Sequence, residues 1–200
     1  MSSLALFPLN IVLFPDGPLP LRIFETRYVD MVRRCLREQQ DFGVVLIREG
    51  RETGGEETLT HAVGTCARIT DFHQLSDGFL GLSCVGGRRF RIEKRSRQAD
   101  GLYVGEVAWI DGEPEVPVPP RHARLATLLQ NVLPQLGEVY TGMRLRLDDA
   151  AWVGCRLAEI LPIPLVEKQS YLELEDPIER LDRLAPLAPL APPAPSAPLA

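Results

Sequence analysis

The sequence predicts an α+β fold: a β-rich first part over residues 1–111 that carries one early helix, then an all-helical second part over residues 121–185. Three observations predict it. Apolar runs separated by turn signals recur from residue 43 to residue 110. Between residues 26 and 38 the apolar spacing switches to that of a helix. After GEPEVPVPP at 112–120, a proline-rich linker, apolar residues recur only at helical spacing.

Each element follows from local chemistry. Residues 4–7 and 19–24 are short apolar strands joined through the turn signal Asp16-Gly17. Pro8, Pro15, Pro18 and Pro20 remove backbone donors, so these strands are expected at sheet edges or to end early. From Thr26, the expected N-cap, Tyr28, Met31, Val32, Cys35 and Leu36 form the inner stripe of a helix that ends near Gln39 or Gln40. GVVLI at 43–47 is wholly apolar and reads as a strand buried on both faces. REGRETGGEETLT at 48–60 is a charged loop.

Strands are expected over 61–75, with Gly64 as a bulge, and over 79–85, 88–97 and 102–110. Ser76-Asp77-Gly78 and Ala99-Asp100-Gly101 are turns, and Gly86-Gly87 interrupts the ribbon between 79–85 and 88–97. Leu125, Leu128, Leu129, Val132 and Leu133 form one helical stripe. Residues 150–161 form a second helix capped by Asp148 or Asp149 and stopped by Pro162 and Pro164. Residues 165–174 form a third, and Asp176-Pro177 opens a fourth. The terminal PLAPLAPPAPSAPLA, residues 186–200, is low-complexity and favours extended polyproline geometry.

Composition excludes several classes. A net charge of −5 argues against a general binder of nucleic acid or anionic membrane. No apolar run approaches the roughly 20 residues that cross a bilayer. The N-terminal MSSLALFPLN has neither a basic region nor a small-residue cleavage site, so no secretory signal is expected. Cys35, Cys66, Cys84 and Cys155 are isolated among apolar residues, the usage of buried reduced thiols in a cytoplasmic protein. His61, His73 and His122 do not cluster with them, so neither a metal nor any other cofactor is expected. Asp71 and His73 share a strand face, and Ser170 lies near Lys168, but neither pair has the companions a catalytic site needs.

FPL at 7–9, LFP at 13–15, LPLRIFE at 19–25, RY at 27–28, FGVVLI at 42–47, Gly64-Thr65 and GGRRFRI at 86–92 occur in that order. This set resembles the N-terminal substrate-recognition domain of the Lon ATP-dependent proteases over most of residues 4–185. Thr26 departs from the pattern, where the family usually has proline. The resemblance implies a PUA-like, barrel-like β subdomain joined to a helical bundle. It also implies a binding module for unfolded or partly folded polypeptide, or for a protease or chaperone partner. The chain has no GxxxxGK[ST] phosphate loop and no serine–lysine dyad in a protease context, so the resemblance is to the recognition domain without ATPase or protease, and not to an enzyme.

A recogniser of unfolded chains needs an exposed apolar surface, with or without an open sheet edge. Phe7, Leu9, Phe14, Leu19 and Leu21 are the candidates, because the prolines among them oppose complete burial in a sheet; the alternative is that they are core. Glu25 and Arg27 flank the strand-to-helix junction as an ion pair that pins it or as ligand contacts. A second reading is RNA binding through Arg88, Arg89, Arg91, Lys94 and Arg95, with Arg89 and Arg91 pointing outward from the strand. The short length of that basic stretch and the lack of a stacking platform weigh against it. The extended tail is a candidate substrate mimic that docks on an apolar surface of its own or of a neighbouring copy.

Overall fold

The computed structural model describes residues 2–52 and 57–188. Its strands are β1 (Ser2–Leu9), β2 (Pro18–Ile23), β3 (Phe42–Glu49), β4 (Leu59–Thr60), β5 (Val63–Gln74), β6 (Leu80–Arg97) and β7 (Tyr103–Trp109). Helix α1 (Thr26–Glu38) lies between β2 and β3. Helices α2 (Ala123–Val132), α3 (Ala150–Ile160), α4 (Leu165–Glu173) and α5 (Pro177–Leu184) follow, giving the expected α+β order. No helix among the described residues is long and apolar enough to cross a membrane.

The strands pair in the order β1-β7-β6-β5-β3-β4, and β1 also pairs with β3. Pairing therefore returns to its starting strand through β1, β7, β6, β5 and β3. The β1–β3 ladder is parallel, which the intervening helix α1 makes possible. Among the described residues β2 pairs only with β6, which makes it an edge. The proline-bearing strands, expected at edges or to end early, differ: β2 is an edge, while β1 is paired on both sides and its β7 ladder ends at Leu6, before Pro8. Ser2–Leu6 pairs with β7, and 6–9 pairs with β3. Pro8 is accommodated because it lies past the end of the β7 ladder.

Three apolar clusters fill the fold. Helix α1 packs Tyr28, Met31, Val32 and Cys35 against Phe7, Leu9, Leu19, Phe42 and Val44. Leu36, expected inward, is exposed at the helix end. Leu4, Leu6, Val45, Phe90, Tyr103 and Val107 form a second cluster. The third joins Leu125, Leu129, Val153, Leu157 and Leu181 of the helices to Val12, Phe14, Leu46 and Val63 from the strand part. Strand β3 is buried along Phe42–Ile47 because successive residues serve different clusters.

Glycines set the path of the proline-rich opening. β6 is not interrupted at Gly86-Gly87 as expected; it runs through, but its register against β5 slips there by one residue. A Cβ on Gly86 would lie 2.1 Å from the Phe14 carbonyl oxygen, and one on Gly87 would lie 2.6 Å from Cys66 Sγ. The pair thus lets residues 13–17 cross close over the sheet. The Asp16 N–H donates to Gly86 O, and the Gly86 N–H donates to Gly17 O, both at 2.8 Å. Gly64 is not a bulge; it sits in register opposite Phe90, where a Cβ would meet Val44 O at 2.4 Å.

Helix ends follow local chemistry, with one correction. Of Asp148 and Asp149, it is Asp149 that caps α3, accepting from the Ala151 N–H at 3.0 Å, and Asp176 caps α5, accepting from the Ile178 N–H at 2.8 Å. Thr26 does not cap α1; Glu25 holds that position, and Thr26 is the first helical residue. Gln39 ends the helix in the left-handed conformation with φ 52°. Residues 112–120 are not free of the fold: the Val118 N–H donates to Asp148 O and the Ala150 N–H to Val116 O, each at 2.8 Å. β3 extends through Glu49 and pairs with β4, leaving a shorter loop than expected. Residues 53–56 of that loop and the tail from 189, with its expected docking, lie outside the described residues.

Candidate functional site: an apolar groove at the β2–α1 junction

The end of β1, the free side of β2 and the first turn of α1 enclose a groove of about 250 Å³. Its walls include Phe7, Leu9, Leu19, Leu21 and Tyr28. Phe7 stacks on the Tyr28 ring with centroids 4.0 Å apart. At the mouth, Phe24 is 54% exposed and Ile11 36% exposed. Arg22, Glu25 and Glu52 line the polar rim. Burial, with Glu25 and Glu52 adding to it and Arg27 opposing, pushes the Tyr28 hydroxyl up to about 12, so it stays a neutral donor.

Four of the five sequence candidates therefore meet at one site. Phe14 does not; it is completely buried in the helical cluster. The prolines end the short strands and so allow Phe7 and Phe14, only seven residues apart, to enter different clusters. Leu21 is half-buried, whereas Phe7, Leu9 and Leu19 offer the groove only the surface that the core leaves open. Ile11 and Phe24 were not among the candidates. Their signal was weak: Phe24 ends a strand-like run, and Ile11 opens the apolar stretch 11–14 between two strands.

The β2 edge has its own chemistry. Gly86 donates to Gly17, and bonded pairs alternate along an antiparallel ladder. Leu19, Leu21 and Ile23 therefore turn their backbone groups toward β6, while Pro18, Pro20 and Arg22 turn theirs outward. Two of these three outward positions have no N–H, so the edge is a poor template for another strand. The groove can hold side chains, but β2 cannot extend the sheet.

Glu25 and Arg27 form the junction pin. Their side chains meet at 2.7 Å, and Arg27 also donates to Gly101 O at 3.2 Å. The Arg27 guanidinium lies over the Tyr28 ring, 4.7 Å from its centroid.

The arginine strand does not present a basic face. Arg89 points inward, contrary to expectation, because β6 is covered on both sides at this point. Its Nη1 donates to Leu172 O and Leu174 O at 2.6 Å, and its Nη2 meets Glu113 at 3.2 Å. Arg180, completely buried, grips both Glu113 oxygens at 2.6 Å and donates to Tyr171 O and Leu174 O. Two arginines thus satisfy carbonyls at the end of α4, and one carboxylate, Glu113, bridges them. Of the other candidates, Lys94 pairs with Glu106 at 3.4 Å, Arg95 donates to Thr58 O at 2.7 Å, and Arg88 lies over the Trp109 ring. Arg91 is exposed.

A second cavity of about 240 Å³, between β6 and α3, is walled by Arg89, Glu113, Arg146, Trp152 and Cys155. Burial, before any neighbouring charge, pushes the Cys155 thiol up, which makes it a poor nucleophile. Ser170 Oγ donates to Glu167 O and Lys168 Nζ to Glu159 O, so they form no dyad. Among the described residues, no group of three His, Cys, Asp or Glu side chains is placed to hold a metal.

Comparison with known proteins gives the family to which this α+β domain belongs. Residues 3–188 match the model of the ATP-dependent protease La (LON) substrate-binding domain, and the chain belongs to that family. It is similar to the solved Lon N-terminal domain protein from Xanthomonas campestris, with 41% identity and a TM-score of 0.79, over 94% of this chain and 100% of that one. The N-terminal domain of a Mycobacterium avium complex Lon protease shares the fold at 18% identity and a TM-score of 0.64, over 93% and 97% of the two chains. Lon protease 2 of Myxococcus xanthus is 27% identical over 86% of this chain but only 22% of its own length. The chain thus spans about a fifth of the curated Lon proteases it matches.

Proposed function

We propose that this domain is a non-enzymatic recognition module that takes bulky apolar side chains of unfolded or partly folded polypeptide into the β2–α1 groove, alone or on behalf of a protease or chaperone partner. The observation that carries this reading is the placement of exposed Phe24 and Ile11 at the mouth of an apolar groove beside a proline-guarded edge. Large apolar side chains left at a surface in this way favour contact with other apolar groups over water. In this reading the circuit of paired strands is a PUA-like barrel, residues 121–185 are a bundle that buttresses it, and the apolar cluster they share keeps the groove in a fixed shape.

The test is fluorescence anisotropy with a labelled, unfolded, apolar-rich polypeptide and a single-stranded RNA, each at low and moderate salt. The polypeptide is expected to bind with little dependence on salt, and the double variant I11D/F24D to weaken it at least tenfold. RNA binding that falls steeply with salt would overturn the proposal and restore the arginine-strand reading.

A further inference from the structure

The rim of the groove is not electrostatically neutral. Its cations are already committed. Arg22 is held by Asp77 at 2.8 Å and lies over the Phe79 ring, 4.6 Å from the centroid. Arg27 is paired with Glu25 at the junction, where it is half-buried. Glu52 differs: its carboxylate accepts the Asn10 N–H at 2.5 Å, and no cation partners it among the described residues. It is half-buried and lines the same groove as Phe7, Leu21 and Tyr28. With the two ion pairs cancelling, one unbalanced negative charge remains beside an apolar slot.

We infer that the groove selects polypeptide segments in which a lysine or arginine adjoins bulky apolar residues, with Glu52 as the determinant of that preference. The inference rests on the groove reading above and adds a charge rule to it. Apolar side chains enter the slot, and the neighbouring cation meets Glu52 at the rim, where a partly desolvated site strengthens the attraction relative to open water. A carboxylate at the same position in the substrate would face Glu52 directly and be rejected. Because β2 offers few backbone donors, side-chain size and charge rather than strand pairing decide what binds.

The experiment uses three labelled peptides that share an apolar centre and differ only in a flanking residue: lysine, glutamine or glutamate. They are titrated against the wild type, Glu52→Gln, Glu52→Lys and the exposed control Glu93→Lys. Glu52→Gln keeps an acceptor for the Asn10 N–H, so the fold is retained. The wild type is expected to prefer the lysine peptide to the glutamate peptide by about tenfold at low salt, falling toward about threefold at high salt. Glu52→Gln should remove the preference and Glu52→Lys should invert it, while Glu93→Lys, with the same change in net charge as Glu52→Lys, should leave it. A preference that survives Glu52→Gln overturns this inference but leaves the groove standing. Binding that ignores I11D/F24D overturns the groove reading itself, and failure of all three peptides to bind overturns both.

Discussion

Replacing Glu113 with glutamine tests the balance of charge that joins the two parts of the molecule. Glu113 makes three short contacts with buried guanidiniums, at 2.6, 2.6 and 3.2 Å. At about 1.5–3 kcal/mol for each charge-assisted bond, the gross loss would be about 4.5–9 kcal/mol. Glutamine keeps one acceptor and removes the burial cost of a carboxylate, which brings the net loss to about 3–5 kcal/mol, the range for breaking a buried pair from one side. For a chain of this length that lowers Tm by about 6–20 °C. Urea unfolding followed by the fluorescence of Trp109 and Trp152, with an unchanged slope, measures it. A loss below about 1 kcal/mol would refute the reasoning, because it would mean that the carbonyls of Leu172, Leu174 and Tyr171 alone satisfy both arginines. The triple variant R89M/E113Q/R180M should not recover the loss, since it also leaves the carbonyls of Tyr171, Leu172 and Leu174 without their donors.

Two further predictions follow from the geometry. Gly86→Ala would press a methyl group against the Phe14 carbonyl oxygen, a backbone atom that cannot swing aside, and should cost about 2–4 kcal/mol in the same unfolding assay. The second concerns alkali. Burial first of all pushes Cys66 up to about 11, Cys84 up to about 12 and Tyr28 up to about 12, from ordinary values of 9.0, 9.0 and 10.0. The unfolded chain releases these protons first, so their stabilisation is complete below about pH 9 and is lost progressively as pH rises through the folded values. Stability should therefore decline from about pH 9 upward, and the thiols should resist a disulfide-exchange reagent until the protein unfolds. Rapid native reactivity of Cys66 or Cys84 would contradict their burial.

Much of this was legible in the residues. Asp149 and Asp176 cap their helices through bonds to N–H groups two residues away, and the turns at 76–78 and 99–101 depend on neighbours equally near. The ordered motifs of the opening 28 residues pointed to the family. The groove was partly legible: prolines among large apolar residues marked Phe7, Leu9, Leu19 and Leu21, but the same argument marked Phe14, which the helices cover. Arg89 showed the limit of strand alternation. A polar residue between apolar ones reads as outward, and nothing nearby in the chain announces Glu113 or the α4 carbonyls 83 and 85 residues on.

Sequence alone determined the order of helices and strands, the turns at 76–78 and 99–101, and the family to which the chain belongs, because these rest on interactions among residues a few positions apart or on motifs read directly. Tertiary structure alone decided that β1 is an interior strand, that Arg89 is a buried clamp, and that Ile11, Phe24 and Glu52 share the rim of one groove. Those outcomes depend on which distant surfaces meet, and burial and charge pairing between residues tens of positions apart leave no local pattern in the chain.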